Sequence, residues 1–306
     1  MILSIGEILV DIFVDKENRQ VFPGGAPFNV ACNIAHFNNK EVAFLGAVGK
    51  DAYGEKLLNY SKEKVAHLYL NVLDKYHTTE AIVTLVDGER SFRFNRDNGA
   101  DYHLDLEALH KVDLTYVNIA HIGSLMLSYP NGREFFNDSV SYLKSKGIKI
   151  SFDVNYRDDI FNSEDEAKEI FLNAIKQADI IKFTSEELEL LTGENDIKKS
   201  LVKLLNKSQI AVVTLGAEGS VFYKQGKFIK VSSYPMKPVD TTGAGDAFYS
   251  YILYELDKGL DLDNEEKIKE ALLKANIVGG LATQKRGAID VVPSLKELDD
   301  FISKLK

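Results

Sequence analysis

Residues 116–183 decide the fold. Tyr116-Val-Asn-Ile-Ala-His-Ile122, Ile148-Lys-Ile-Ser-Phe-Asp-Val154 and Asp179-Ile-Ile-Lys-Phe183 are short β-rich runs, separated by the helical stretches Asn131–Lys146 and Ser163–Gln177. Strand, helix, strand, helix, strand describes βαβ units, and these demand a mostly parallel sheet with helices on both faces. The same alternation extends upstream through Met1–Ile5, Pro27–Phe37, Val42–Val48 and Tyr53–Val65, and downstream through Ile197–Asn206 and Ile210–Leu215. Helices are then expected at Ala244–Asp257, Asn264–Gln284 and Ser294–Lys306. Ligands of such folds bind beyond the carboxyl ends of the strands.

Two pieces break the alternation. Residues 8–22 and 77–96 read as extended, with Val86-Asp87-Gly88-Glu89 as a hairpin turn between two runs. They are expected to form a small β-sheet lid, the alternative being an antiparallel extension of the main sheet. With no repeat or linker-like tract, residues 1–306 are expected to be one domain carrying that lid.

Composition narrows the function. The 306 residues are 45% hydrophobic and 27% charged, with a formal net charge of -9. Such an acidic chain lacks the basic face that sequence-independent nucleic-acid binding needs. No apolar run approaches the roughly 18 residues of a membrane span. Met1-Ile-Leu-Ser-Ile-Gly-Glu7 reads as a first strand rather than a signal peptide. The single cysteine, Cys32, lies in an apolar helical stretch and suits packing in a reducing, cytoplasmic setting. His36, His67, His77, His103, His110 and His121 show no zinc-ligand spacing.

Chemistry concentrates in Asp240-Thr-Thr-Gly-Ala-Gly-Asp-Ala-Phe248. Ala247, Phe248, Tyr251 and Ile252 recur at helical spacing, so Gly243, Ala244 and Gly245 fall at a helix amino terminus. Unpaired N–H groups there make an anion site that small residues let a phosphate approach. Asp246 follows in the first turn, where a carboxylate can accept the proton of an attacking hydroxyl. The plainer reading is an acid favoured by the helix dipole. A second cluster is Phe22-Pro-Gly-Gly-Ala-Pro-Phe-Asn-Val30. Gly24 and Gly25 allow backbone to crowd a ligand, and Pro27 suits a first helical turn. Asn29 suits sugar hydroxyls, or else caps the helix. In Ser151-Phe-Asp-Val-Asn-Tyr-Arg157, Arg157 ends a strand at the ligand face, either contacting a transferred phosphate or forming a surface ion pair.

These segments resemble the signatures of the ribokinase-like (PfkB) family of sugar kinases, in the family's order from Gly6 to about Ile289, and Gly-Gly-Ala-Pro-x-Asn-Val-Ala looks like its fructokinase branch. The resemblance implies a ribokinase-like three-layer αβα sandwich, with mostly parallel sheet and a small β-lid. It implies ATP with Mg²⁺, with K⁺ as an additional candidate, and fructose phosphorylated at the 6-hydroxyl with Asp246 as base. It also implies sugar contacts at Asp11, Gly24, Gly25 and Asn29, and nucleotide contacts at Lys182, Thr214, Gly216, Gly219, Gly243, Gly245 and Asn276. Glu187 would meet magnesium through water, although Thr184 stands where the family's pattern has asparagine. Asp240 and Thr242 match a monovalent-cation position. Lys285-Arg-Gly-Ala-Ile289 resembles the surroundings of the adenine pocket. A 2-keto-3-deoxygluconate kinase, another sugar or nucleoside kinase, and a non-catalytic sensor on the same fold are the alternatives. Expected partners are a sugar and ATP, with neither nucleic acid nor membrane, and a homodimer is admitted.

Overall fold

The structure, a computed structural model, describes residues 1–15, 18–38, 41–86 and 89–305. Its strands are β1 (Ile2–Ile5), β2 (Leu9–Asp15), β3 (Asn18–Gly24), β4 (Val42–Gly49), β5 (His67–Leu73), β6 (Glu80–Val86), β7 (Glu89–Asn95), β8 (Ile119–Ile122), β9 (Lys149–Asp153), β10 (Ile180–Thr184), β11 (Ile210–Thr214), β12 (Ser220–Lys224) and β13 (Lys227–Val231). Its helices are α1 (Ala26–Phe37), α2 (Ala52–Lys64), α3 (Leu106–His110), α4 (Pro130–Ser145), α5 (Glu164–Gln177), α6 (Ser185–Thr192), α7 (Ile197–Leu204), α8 (Ala244–Asp257), α9 (Glu265–Ala282) and α10 (Leu295–Ser303).

Nine strands form one sheet in the order β13-β12-β11-β10-β9-β8-β1-β4-β5. From β11 to β5 every pairing is parallel, and β12 and β13 add an antiparallel edge. Strand residues alternate between two cores. Leu3, Ile5, Ala211 and Val213 pack with Phe136 of α4, Phe171 of α5 and Leu188 of α6. Ile2, Ile210 and Val212 pack with Phe28 of α1, Phe248 of α8 and Leu272 of α9. The result is three layers, αβα, because each strand of a parallel sheet must bury both faces. Among the described residues no helix is long and apolar enough to cross a membrane.

Helix ends follow local chemistry. Ser163, Asn264 and Ser294 cap α5, α9 and α10 with their side chains. The strand expected from Tyr116 begins only at Ile119, and Tyr116 is exposed. β12 and β13, unremarked in the sequence, are joined by Gln225 and Gly226, both at positive φ, the geometry of a two-residue hairpin turn.

The sheet changes direction between β1 and β8. From β1 the chain runs outward to β4 and β5, then returns to β8 and proceeds to β9, β10 and β11. Such a switch point opens a crevice at the strands' carboxyl ends. The pieces at 8–22 and 77–96 are a separate four-stranded sheet in the order β3-β2-β6-β7, not an extension of the main sheet. Its β6–β7 pairing is antiparallel, as a hairpin requires, while Asp87 and Gly88 of the expected turn lie outside the described residues.

Candidate active site

Gly6 and Gly123, at the ends of β1 and β8, pack against each other and Pro27 at the switch point. A Cβ on Gly6 would lie 2.8 Å from Pro27 Cγ and 3.3 Å from Gly123 Cα. This places the amino end of α1 over the crevice. α8 packs beside α1, so their amino ends meet. Asn29 Nδ2 donates to Asp246 Oδ2 at 2.8 Å. Asn29 is therefore no helix cap, because Gly25 at φ 105 fills that position in α1.

Gly243, at φ 72, is the N-cap of α8, and no side chain covers its first N–H groups. Asp246 sits in that first turn. Burial raises its pKa above the ordinary aspartate value, against the Asn29 hydrogen bond and the charges of Lys182 and Arg157. A carboxyl moved toward neutrality is a better proton acceptor than an ordinary aspartate. Beneath it, Lys182 and Asp153 stand opposite each other on β10 and β9 and form a buried ion pair at 3.1 Å. Burial alone would lower the Lys182 amine, but Asp153, Glu187 and Asp246 together hold it above its usual range. A Cβ on Gly245 would lie 3.3 Å from Lys182 Nζ. The amino end of α8, whose Ala244 N–H is bonded to Thr241 O at 3.3 Å, thus brings backbone N–H groups, an ammonium and a base together.

Asp11 lies within β2, and its carboxylate packs on Gly24 of β3. A Cβ at Gly24 would sit 2.2 Å from Asp11 Oδ2. Burial, then Asp246, pushes Asp11 up to about 7, while Arg157 pulls it down. Arg157 is exposed, hydrogen-bonds the Tyr156 carbonyl at 2.8 Å and acts on Asp246 through charge. Asp11, Asp246, Asn29 and Arg157 therefore converge on one crevice.

Other expected residues have structural partners. Glu187 is buried, its Oε2 accepting from Thr184 N at 2.7 Å and its Oε1 from Tyr156 N at 3.0 Å. Thr184 closes a capping box on α6 with it, which shows how threonine serves where asparagine was the expected pattern. Asp240 accepts from Thr242 N and Oγ1 at 3.0 and 2.7 Å and from Gly287 N at 3.2 Å. Asn276 donates to Val231 O at 3.2 Å, fastening α9 to β13. Thr214 ends β11, Gly216 is exposed in the turn after it, and Gly219 has no room for a Cβ, which would lie 2.1 Å from Val231 O. The segment 285–289 reaches the amino end of α8, where a Cβ on Gly243 would lie 2.5 Å from Ala288 Cβ. Arg96, directly after β7, is buried and committed to Asp101 at 2.6 Å, Ser128 and Leu125 O.

Two charged groups were not singled out in the sequence. Asp153 is legible only as the first residue of Asp-x-Asn-x-Arg. Glu7 is buried beside Gly123, and burial, with Asp101 and Asp246, raises it to about 8 despite Arg96. Among the described residues no three His, Cys, Asp or Glu side chains cluster as a metal site.

The profile of the pfkB family carbohydrate kinases matches residues 1–295. Fructokinase-2 of Zea mays is 34% identical over 99% of this chain and 94% of its own. The fructokinase of Xylella fastidiosa, solved with bound ATP, superposes with a TM-score of 0.89 at 28% identity, over 99% of this chain and 98% of that one. A double mutant of Vibrio cholerae O395 fructokinase, solved with fructose, ADP and a potassium ion, gives a TM-score of 0.88 at 32% identity, over 98% of this chain and 97% of that one.

Proposed function

The chain belongs to the pfkB family of carbohydrate kinases, and on that premise we propose that it transfers the γ-phosphate of ATP to a hydroxyl of fructose. The observation that carries this reading is the pairing of Asp246 with Asn29 beside the uncapped amino end of α8. Asp246 takes the proton of the attacking hydroxyl, whose oxygen forms the new bond to phosphorus. The bond to the bridging oxygen breaks, and ADP leaves with that electron pair. The N–H groups at Gly243–Gly245 stabilise charge on the transferred group, with Arg157 approaching from the loop that follows β9, which ends at Asp153 rather than at Arg157.

The sugar binds at the switch point against Asp11, Gly24, Gly25 and Asn29. Its 6-hydroxyl, the acceptor implied by the resemblance, faces Asp246 and gives fructose 6-phosphate. Asp11 and Asp246 make this end acidic, which suits a neutral polyol better than a keto-acid. The four-stranded sheet acts as a lid that excludes water. Lys182, the 214–219 turn and Asn276 would hold ATP, and Glu187 would serve its Mg²⁺ through water, the ion supplying charge neutralisation at the phosphates. Asp240 and Thr242 would hold a K⁺, a potassium ion being present in the structure of the Vibrio relative.

The test is a coupled assay of ADP release with fructose, ribose, 2-keto-3-deoxygluconate and no sugar, with the phosphate position assigned by NMR. Fructose should give the highest kcat/KM. A higher value for the keto-acid overturns the substrate. ATP binding without turnover on any sugar would instead favour a sensor.

A further inference from the structure

The polar face of α2 is tied to two other parts of the molecule. Tyr53, Lys56, Tyr60 and Lys64 recur at spacings that align them along one stripe. Arg19 of β3 donates to Tyr53 Oη at 2.8 Å, and Lys56 Nζ donates to Val21 O at 3.2 Å. The N-cap Asp51 accepts from Thr78 N at 2.7 Å and Thr78 Oγ1 at 2.8 Å, just before β6. The first half of α2 is thus fastened to the four-stranded sheet.

The second half reaches Asp290. Tyr60 Oη donates to Asp290 Oδ2 at 2.7 Å, and Lys64 Nζ donates to Asp290 Oδ1. Asp290 stands at φ 63, a left-handed conformation that a non-glycine residue adopts at a cost and that held side chains stabilise. Three residues earlier, Gly287 at φ 97 gives its N–H to Asp240, and Ala288 fills the space over Gly243. A segment of four residues, 287–290, therefore runs from the clamp on α2 to the cap of α8.

We propose that Asp290, clamped by Tyr60 and Lys64, is a positioning residue for phosphoryl transfer: it sets the 287–290 segment against Gly243 and Asp240. The amino end of α8 then meets the nucleotide phosphates in one geometry. The inference rests on the kinase reading above. The Asp290 and Lys64 side chains are 57% and 27% exposed, so their pairing contributes little to global stability. Its effect falls on the placement of the phosphate end, where small displacements are costly.

The experiment uses the full chain with MgATP and fructose. Asp290→Gly keeps the left-handed backbone and removes the clamp. It should lower kcat roughly five- to tenfold, with KM for fructose within about twofold and Tm within about 2 °C. Asp290→Asn, which tolerates the same backbone and still offers an acceptor, should recover most of that loss. Lys64→Met should act in the same direction and add nothing further to Asp290→Gly, since both break one linkage. Wild-type kcat in Asp290→Gly, or multiplying effects in the double variant, would overturn the proposal. Wild-type protein that phosphorylates no sugar removes the kinase reading, and the role of the clamp with it.

Discussion

At the phosphate end, charged groups are tied to a second element: Asp246 of α8 to Asn29 of α1, Lys182 of β10 to Asp153 of β9, and Asp240 to Gly287. The four-stranded sheet is built differently. Asp11 is placed by the room that Gly24 leaves beside it, and Arg93 is exposed on β7. The firmly held charge is Arg96 at the sheet's root, stacked over Tyr102 and Tyr129 as well as bonded to Asp101. One end is held by contacts among its own side chains and backbone, as stabilisation of a transition state requires. The other is shaped for fit and anchored at its base. Substitutions should therefore reach kcat at the first, KM on the ligand-facing strands of the second, and folding at its root.

The sharpest test of that division is Asp246→Asn. The amide keeps a partner for Asn29 but cannot accept a proton, so kcat should fall roughly a hundred- to ten-thousandfold. Tm and nucleotide affinity should hardly change, and near-normal turnover would remove the assigned role. Arg96→Met addresses the root of the sheet. Leaving Asp101 buried without its cation should cost about 3 kcal/mol in denaturant unfolding, and an unchanged midpoint would show that the root is not held by this pair.

Gly24→Ala separates binding from chemistry. The added methyl displaces the Asp11 carboxylate while the backbone stays in place, so KM for fructose should rise roughly tenfold with kcat within about twofold. Equal losses in both would erase the distinction between the two ends. The smallest effect is a pH slope. Glu7 is raised from 4.5 to about 8 and Asp11 from 3.8 to about 7. Between their ordinary and raised values the folded state holds more protons than the unfolded one. Stability of the ligand-free protein should therefore decline as pH rises through about 5 to 8. Glu7→Gln should flatten that decline in Tm measured across the range, and an unaltered slope would assign it to other groups.

Much of this was legible in the chain. The alternation around 116–183 specified a parallel sheet, since strands buried on both faces read as short apolar runs between amphipathic helices. The start of α8 at Gly243–Asp246 was legible because small residues followed by apolar positions at helical spacing mark a helix amino end. What Arg96, Arg157 and the 285–289 segment pack against was not. Their partners, Asp101, the charges of Asp11 and Asp246, and Gly243, are set by chain crossings that no local pattern records.

By itself the sequence determined the layers, the helix starting at Ala244 and the residue types able to bind phosphate and hydroxyl groups, because periodicity and capping act over a few residues. Tertiary structure decided that 8–22 and 77–96 form a sheet of their own, that Asn29 meets Asp246 across 217 positions, and that Asp290 is held from α2. Those outcomes depend on which strand pairs with which and on where two helices begin side by side. The switch between β1 and β8 fixes both, and it is a property of the folded sheet rather than of any segment.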